Sequence, residues 1–344
     1  MENSVKQQIK LLLRAAYILS SLLLISIFTI VFIYFNPRST VEKVEDTAVW
    51  SMKSIATDIP DTEIGKNIAY GYQLITNTSE YVGPLAKNPS MRFAGNNLAC
   101  NNCHLDAGRK IGSGSFVGVT NRFPQFRGRE NKTGTLAERI NGCFERSMNG
   151  RAMDTNTKEM LAMITYMEWL SEDVSEEIEK KYKGYVKIKI PLVKADMHKG
   201  KALYDVKCML CHLPNGAGIP KPGDTFTGYL YPPIGGNDTY NDGAGMHRVI
   251  TAAEFIKGNM PFGATYDSPQ VTDEEAYHIA AYINTFPRPE KSNKKADFPN
   301  IKLKPVSTPY GPWADDFSPE QHKFGPFQPI MLFYKEKYDI TKSK

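Results

Sequence analysis

Cysteines are the residues of this 344-residue chain whose spacing most directly implies chemistry, and there are five of them. Four form two C-x-x-C-H motifs, the pattern that attaches a haem c through two thioether bonds and places a histidine below the iron. The motif residues are Cys100, Cys103 and His104 in the first and Cys208, Cys211 and His212 in the second. The sequence therefore predicts two covalently bound haem c groups, each with its iron, and one thiol, Cys143, that belongs to neither motif.

Cys143 lies in a stretch with the local signals of a short helix. Thr135 and Glu138 have the spacing of a capping box that opens a helix. On that helix Arg139, Cys143 and Ser147 stand four residues apart, so guanidinium, thiol and hydroxyl share one face. A lone cysteine is more often a buried structural residue. Its polar neighbours and the nearby haem motif favour a chemical role here.

The charge distribution indicates an anionic ligand. The chain has 41% hydrophobic and 23% charged residues, as globular proteins do, and a formal net charge of +5. Residues 106–151 alone carry nine basic and four acidic residues. This excess suits a small anion or the propionates of a haem. No nucleic-acid reading motif accompanies the basic residues, so we expect no nucleic acid as a partner.

The N-terminus predicts a membrane anchor. Lys6, Lys10 and Arg14 precede an uncharged, mostly apolar run, residues 15–35, whose 21 residues would span about 31 Å as a helix, enough to cross a bilayer core. The basic flank places residues 1–14 in the cytoplasm. We expect a single-pass inner-membrane protein with both haems on the periplasmic side. A cleaved signal peptide is the competing interpretation.

The rest of the chain divides into two similar units. After a tether, each unit has a helix, a haem motif, a loop and a closing helix, and it resembles a class I cytochrome c domain. The fold class expected is therefore mainly α, with two class I cytochrome c-type domains in tandem, preceded by one transmembrane helix. The predicted segments are the tether 36–59, the first domain 60–170, a charged linker 171–190, the second domain 191–289, and a Pro- and aromatic-rich C-terminal extension 290–344 that wraps the domains.

The two closing helices show an internal duplication. Tyr166 and Leu170 in the first correspond to Tyr282 and Phe286 in the second. The second closing helix is predicted over residues 273–286, and Thr272 caps its start. The repeated pattern indicates that both domains use the same helix packing.

The second iron has several candidates for its sixth ligand. Met260 lies shortly before the closing helix, where cytochrome c domains similar to this one usually keep a ligand methionine. Lys257 is the main alternative, since a deprotonated amine can bind iron, and Met246 and His247 are further candidates. The remaining histidines, which we expect to be packed surface or incidental residues, are His198, His278 and His322.

Residues of about 60–289 together resemble the dihaem thiosulfate dehydrogenases that form tetrathionate. The resemblance rests on R-G-R-E-N at 127–131, E-R-I-N-G-C-F-E-R-S-M-N-G-R at 138–151 and A-A-E-F-I-K-G-N-M-P at 252–261. It implies thiosulfate and tetrathionate as ligands, and as redox partner a small cytochrome c or a membrane respiratory component. The roles it implies are iron ligation by His104 and Cys143 at the active site and by His212 and Met260 at the second haem, and substrate binding by Arg129, Arg139 and Ser147.

Three other functions fit parts of the same pattern. The chain could work chiefly in reverse, as a tetrathionate reductase. It could be a non-catalytic, membrane-anchored dihaem electron carrier, although a carrier has no use for arginines around a thiol. It also resembles, less closely, the cysteine-ligated cytochromes that attach thiosulfate to a carrier protein.

Overall fold

The computed structural model describes residues 2–35 and 50–342 in two units, the first ending at Trp50 and the second beginning at Ser51. In the described part of the first unit there is one helix, α1 (Glu2–Phe35), within which Lys6–Phe32 is long and apolar enough to cross a membrane. The helix starts well before residue 15, because the polar residues ahead of the apolar run are good helix formers. Of the predicted tether, 36–59, residues 36–49 lie outside the described residues.

The second unit is mainly helical, which confirms the expected fold class. Its α-helices are α2 (Glu63–Thr76), α3 (Thr78–Val82), α4 (Leu136–Arg146), α5 (Lys158–Trp169), α6 (Glu176–Tyr182), α7 (Met197–Lys207), α8 (Met209–His212), α9 (Val249–Asn259), α10 (Asp273–Ile283), α11 (Pro319–Phe324) and α12 (Gln328–Tyr338). Two antiparallel hairpins join β1 (Gln125–Arg127) to β2 (Lys132–Gly134) and β3 (Ile219–Pro220) to β4 (Tyr229–Tyr231). Short 3₁₀ turns lie at Pro89–Met91, Cys100–Asn102, Asp106–Gly108, Thr120–Arg122, Gly245–His247, Lys294–Ala296 and Ile301–Leu303.

The first haem domain is built on the crossing of α2 and α5. The two helices approach so closely at Gly71 that a Cβ there would lie 2.1 Å from the carbonyl oxygen of Ala162. Only glycine allows this contact. Met52, Ile55 and Ile59 also pack against the core of this domain. Its packed region therefore begins before residue 60.

The second haem domain repeats the crossing with α7 and α10. A Cβ on Gly200 would lie 2.1 Å from the carbonyl oxygen of His278 and 3.0 Å from the Cβ of Tyr282, just as one on Gly71 would lie 2.7 Å from the Cβ of Tyr166. The duplication seen in the sequence thus appears in the packing. Helix α10 starts with the capping box of Thr272 expected from the sequence.

Two histidines lie deeper than expected. His278 is only 3% exposed, and its Nδ1 accepts a hydrogen bond from the backbone N–H of Asp196 at 3.0 Å. His322 is 1% exposed, stacks on Trp313 at 4.3 Å and bonds through Nε2 to Asp315 at 2.8 Å. The surface position expected of His278 is therefore wrong, because a distant segment covers its ring, whereas the incidental role expected of His322 stays a prediction.

The C-terminal extension is part of the second core. Helices α11 and α12 bury Phe324, Phe327, Ile330 and Tyr334 against it. Before them, the backbone N–H of Phe298 donates to the carbonyl of Arg129 at 2.7 Å. The extension therefore contacts both haem domains.

Candidate active site

Helix α4 forms as its sequence predicts. Thr135 accepts a hydrogen bond from the backbone N–H of Glu138, and the Glu138 carboxylate accepts one from the N–H of Thr135 at 2.8 Å. The helix buries Ile140 and Phe144 against the first core. This burial fixes which face of α4 remains available for chemistry.

Cys143 sits on that face as an anion. Arg139 donates from Nη1 to the sulfur of Cys143 at 2.8 Å. Burial raises the pKa of the Cys143 thiol, but Arg139, His104 and Arg146 outweigh it and lower that pKa to about 5. The sulfur is therefore a thiolate at neutral pH, which is the reactive and metal-binding form of cysteine.

The first haem motif lines a cavity of about 310 Å³ together with Cys143. His104 donates from Nδ1 to the carbonyl of Gly114 at 2.6 Å, which leaves Nε2 to face a metal. Burial raises the pKa of Cys100 to about 11 and that of Cys103 to about 12, so both thiols lie in apolar surroundings. The donor set and the apolar walls fit a haem with His104 on its iron.

The second haem motif lines a separate cavity of about 320 Å³, which Met246 and Met260 also line. His212 donates from Nδ1 to the carbonyl of Pro232 at 2.9 Å, and burial lowers its pKa, so the neutral ring has its Nε2 available for a metal. This cavity also fits a haem.

The remaining candidates for the second iron lie apart from that cavity. Lys257 is paired with Asp273 and does not line it. His247 does not line it either, and its Nδ1 donates to the carbonyl of Asp242 at 2.9 Å. The structure thus brings Met260 and Met246 to the cavity, and neither Lys257 nor His247.

The two haem cavities are neighbours. Leu98 and Cys103 line both of them. Leu98 and Cys103 therefore form part of the wall between the two cavities.

A third cavity, of about 350 Å³, is polar and opens onto Cys143. The residues that it shares with the first haem cavity are Cys103, His104, Gln125, Arg139, Cys143, Ser147 and Tyr185. Five arginines line it, which is an unusual concentration of positive charge beside a thiolate. They are Arg127, Arg129, Arg139, Arg146 and Arg248.

All four predicted residues of the active site line this cavity, but several of its residues were missed. Arg127 and Arg146 lie inside the motifs that carry the resemblance, so their position beside the predicted residues was a usable signal. Tyr185 comes from the charged linker and Arg248 from the second domain. Nothing local in the sequence marks either of them as part of the site.

Arg129 is held by the C-terminal extension. Its Nη1 donates to Asp297 at 2.5 Å, to the hydroxyl of Tyr310 at 3.1 Å and to the carbonyl of Gly243 at 3.1 Å. Phe298 lies 4.8 Å from its guanidinium. The charge of Arg129 is therefore partly neutralised and its position fixed.

The second domain caps the end of α4. Asn241 donates from its backbone N–H to the carbonyl of Arg146 at 3.1 Å and from Nδ2 to that of Glu145 at 2.9 Å. Asn96 donates to the carbonyl of Ser147 at 3.0 Å and to that of Thr239 at 3.0 Å. The last carbonyls of a helix have no partner within it. Here Asn241 of the other domain supplies part of what they lack, and Asn96 of the first domain links Ser147 to Thr239 of the second.

Family models match both haem regions. The model described as SoxA/TsdA, cytochrome c domain, matches residues 92–175, and the cytochrome c model matches residues 197–287. These matches agree with the two cavities built around the haem motifs.

Curated relatives and a solved structure match most of the chain. A thiosulfate dehydrogenase of Psychrobacter arcticus is 40% identical over 242 residues, 70% of this chain and 69% of its own. The thiosulfate dehydrogenase of Stutzerimonas stutzeri is 35% identical over 68% and 71% of the two chains. The structure of thiosulfate dehydrogenase (TsdBA) from Marichromatium purpuratum, in its "as isolated" form, aligns with a TM-score of 0.62 at 32% identity and 73% coverage of this chain. This chain spans 52% of that longer one.

The cavities and the comparisons lead to the same conclusion, and the resemblance found in the sequence is confirmed. The chain is a cytochrome-linked oxidoreductase that carries two covalently bound c-type haems in two cytochrome c domains. With 40% identity across more than two thirds of both chains, it belongs to the thiosulfate dehydrogenase family.

Proposed function

We propose that the chain oxidises two thiosulfate ions to one tetrathionate at Cys143 and passes the electrons outward through its second haem. One observation carries the proposal: the Cys143 thiolate stands where the first haem cavity meets the arginine-lined cavity. A plain electron carrier needs no anion-binding cavity beside its haem. We take thiosulfate as the substrate because similar proteins are named thiosulfate dehydrogenases.

Charge explains why arginines surround the sulfur. Two thiosulfate dianions about 4 Å apart repel each other by roughly 4 kcal/mol even in water, four times the value for unit charges. Arg139 and Arg129 offset this repulsion at the cavity, and Ser147 adds a hydroxyl donor. Joining the first thiosulfate to Cys143 lowers its charge from −2 to −1, which roughly halves the repulsion that the second one meets.

The covalent route balances in two steps. In the first, the Cys143 sulfur bonds to the sulfane sulfur of thiosulfate and two electrons leave. In the second, the sulfane sulfur of another thiosulfate attacks the sulfane sulfur on Cys143. The bond to Cys143 breaks, tetrathionate departs and the thiolate returns with no further electron transfer.

Each haem iron, when bound, would accept one electron, so the two haems together can accept the two electrons released in the first step. We assign His104 and Cys143 as ligands of the first iron and His212 and Met260 as ligands of the second. In this proposal Cys143 would hold the first iron in the resting enzyme and would accept the sulfane sulfur in turnover. Support for Met260 comes from its place in the second cavity, to which Lys257 does not extend.

The shared wall at Leu98 and Cys103 supports electron transfer from the first cofactor to the second. From there we propose that electrons pass to a small cytochrome c or a membrane respiratory component. The same residues also serve tetrathionate reduction, since the arginine-lined cavity binds either anion.

We propose that α1 is a retained anchor in the inner membrane, with both haem domains in the periplasm. The basic Lys6, Lys10 and Arg14 precede its apolar part. Alkaline carbonate should leave the mature protein in the membrane pellet. Recovery of a soluble protein that begins after Phe35 would contradict this.

A paired assay tests the proposed reaction. The detergent-solubilised holoprotein is given thiosulfate with ferricyanide, and separately tetrathionate with a reduced dye. We expect tetrathionate to form from thiosulfate at half the molar amount consumed. Ferricyanide reduction without tetrathionate would reject the proposal, and a much faster reverse reaction would establish the reductase direction.

A further inference from the structure

The five arginines of the third cavity differ in how their charges are balanced. Four of them have an anion nearby. Arg139 pairs with the Cys143 thiolate at 2.8 Å and Arg129 with Asp297 at 2.5 Å. Glu130 lies 3.1 Å from Arg127 and 3.7 Å from Arg146.

Arg248 is the exception. Within residues 2–35 and 50–342 it forms no ion pair, and its side chain makes one hydrogen bond, a long contact of 3.5 Å from Nε to the carbonyl of Gly245. The N–H groups of its two terminal nitrogens are therefore available to donate hydrogen bonds to another partner. Because Arg248 lines the third cavity, that partner can be a ligand there.

The electrostatic surroundings of Arg248 point the same way. Burial and the nearby positive charges of Arg129 and Arg146 together lower the pKa of Arg248 to about 10. A half-buried guanidinium among other cations is unfavourable until an anion joins it. An arginine fork matches the oxygens of a planar or tetrahedral oxyanion particularly well.

Arg248 also reaches the cavity from a different part of the chain. Cys143 and Arg139 lie on α4 of the first domain, whereas Arg248 is the residue immediately before α9 in the second. The cavity therefore has one cation group beside the reactive sulfur and another delivered by the neighbouring domain. Two anions can be held at once by these two groups.

We propose that Arg248 forms the subsite for the second thiosulfate, by binding its sulfonate while the sulfane sulfur attacks the thiosulfonate on Cys143. This inference rests on the proposed function. In the attack a sulfur–sulfur bond forms between the two sulfane sulfurs, the bond to Cys143 breaks, and its electron pair returns to Cys143 as thiolate. After the attack, Arg248 holds one end of the tetrathionate product.

Equilibrium binding of tetrathionate tests this without turnover. Isothermal titration calorimetry is done on the oxidised holoprotein with Cys143→Ala, alone and combined with Arg248→Gln. Losing a charge-assisted hydrogen bond should raise the Kd by about 10-fold to 100-fold. Arg151→Gln is the matched control, since it removes an exposed arginine outside the cavity. It should leave the Kd unchanged.

The outcomes separate the two proposals. If the Cys143→Ala protein does not bind tetrathionate, the proposed function fails. If it binds and the added Arg248→Gln leaves the Kd unchanged, the Arg248 subsite is refuted. With Cys143 intact, Arg248→Gln should raise the KM for thiosulfate more than it lowers kcat.

A second measurement uses the unchanged protein, so it does not depend on the variant folding. Phenylglyoxal should modify Arg248, whose terminal nitrogens are unbonded, and tetrathionate should protect it. Peptide mass spectrometry identifies the modified residue. Modification at the same rate with and without tetrathionate would overturn the assignment.

Discussion

Replacing Cys143 with alanine should end tetrathionate formation and leave the protein folded with both haems attached. Alanine keeps the helix propensity of α4, which glycine beside Gly142 would weaken. The four attachment cysteines are unchanged, so haem content should equal that of the parent protein. The thiolate spectrum of the first haem should disappear.

The cost in stability follows from what Cys143 contacts. Arg139 would lose the sulfur that accepts its hydrogen bond at 2.8 Å. Leaving this buried donor unpaired costs about 1–3 kcal/mol. Removing one buried heavy atom adds about 1 kcal/mol. The free energy of unfolding should therefore fall by about 2–4 kcal/mol, which is less than most domains have in total.

Three measurements on one sample check this prediction: haem content, electron paramagnetic resonance of the oxidised protein, and tetrathionate formed from thiosulfate. A protein that keeps its spectrum and specific activity would show that Cys143 is only a structural residue. Tetrathionate formation near the parent rate with the thiolate signal lost would refute covalent catalysis by this sulfur.

Three further predictions concern the anion site, electron exit and the C-terminal extension. Arg139→Ala should keep the Cys143 ligand signal and reduce kcat/KM by about 10-fold to 100-fold, the value of a charge-assisted hydrogen bond. Met260→Gly should remove the methionine signature of the second haem, while thiosulfate still reduces the first. Asp297→Asn should lower the free energy of unfolding at pH 7 by about 3 kcal/mol, because it leaves Arg129 buried without its carboxylate. Burial raises the pKa of Asp297, but Arg129 and its other partners lower it overall, so this stabilisation is present at neutral pH and is lost as pH falls through that lowered pKa.

Exposed residues of the same types serve as controls. Arg151→Ala should leave kcat/KM unchanged, and Asp316→Asn should change the unfolding free energy by less than about 0.5 kcal/mol. An unchanged second-haem spectrum in the methionine variant would contradict that ligand assignment. If Asp297→Asn lowers the unfolding free energy no more than Asp316→Asn does, the buried ion pair between Arg129 and Asp297 does not stabilise the fold.

Local sequence signals predicted where helices begin and which residues meet on one helix face. The capping residues Thr135 and Thr272 open α4 and α10 where the sequence places them. Spacing on α4 brings Arg139 and Cys143 into contact, since residues four apart are neighbours on a helix. These features need only a few consecutive residues, so one sequence is enough to find them.

Features made by distant segments were missed. Tyr185 reaches the first haem cavity because the backbone of the linker pairs with that of the first domain, with Gly114 donating to Gly184 at 2.9 Å. Arg248 enters the third cavity only because the two domains pack together. Asp297 meets Arg129 across more than 160 residues of chain. Neither spacing nor periodicity carries information about such contacts.

The hydrogen bonds that Asn241 of the second domain donates to the end of α4 limit how this protein can be rearranged. The sequence reads as two interchangeable modules, yet a cut between them would expose the carbonyls of Glu145 and Arg146 and remove Arg248 from the cavity. The first haem domain expressed alone would therefore lack both a stable end to α4 and part of its anion site. Exchange of single domains between relatives therefore requires that both sides of this contact be exchanged together.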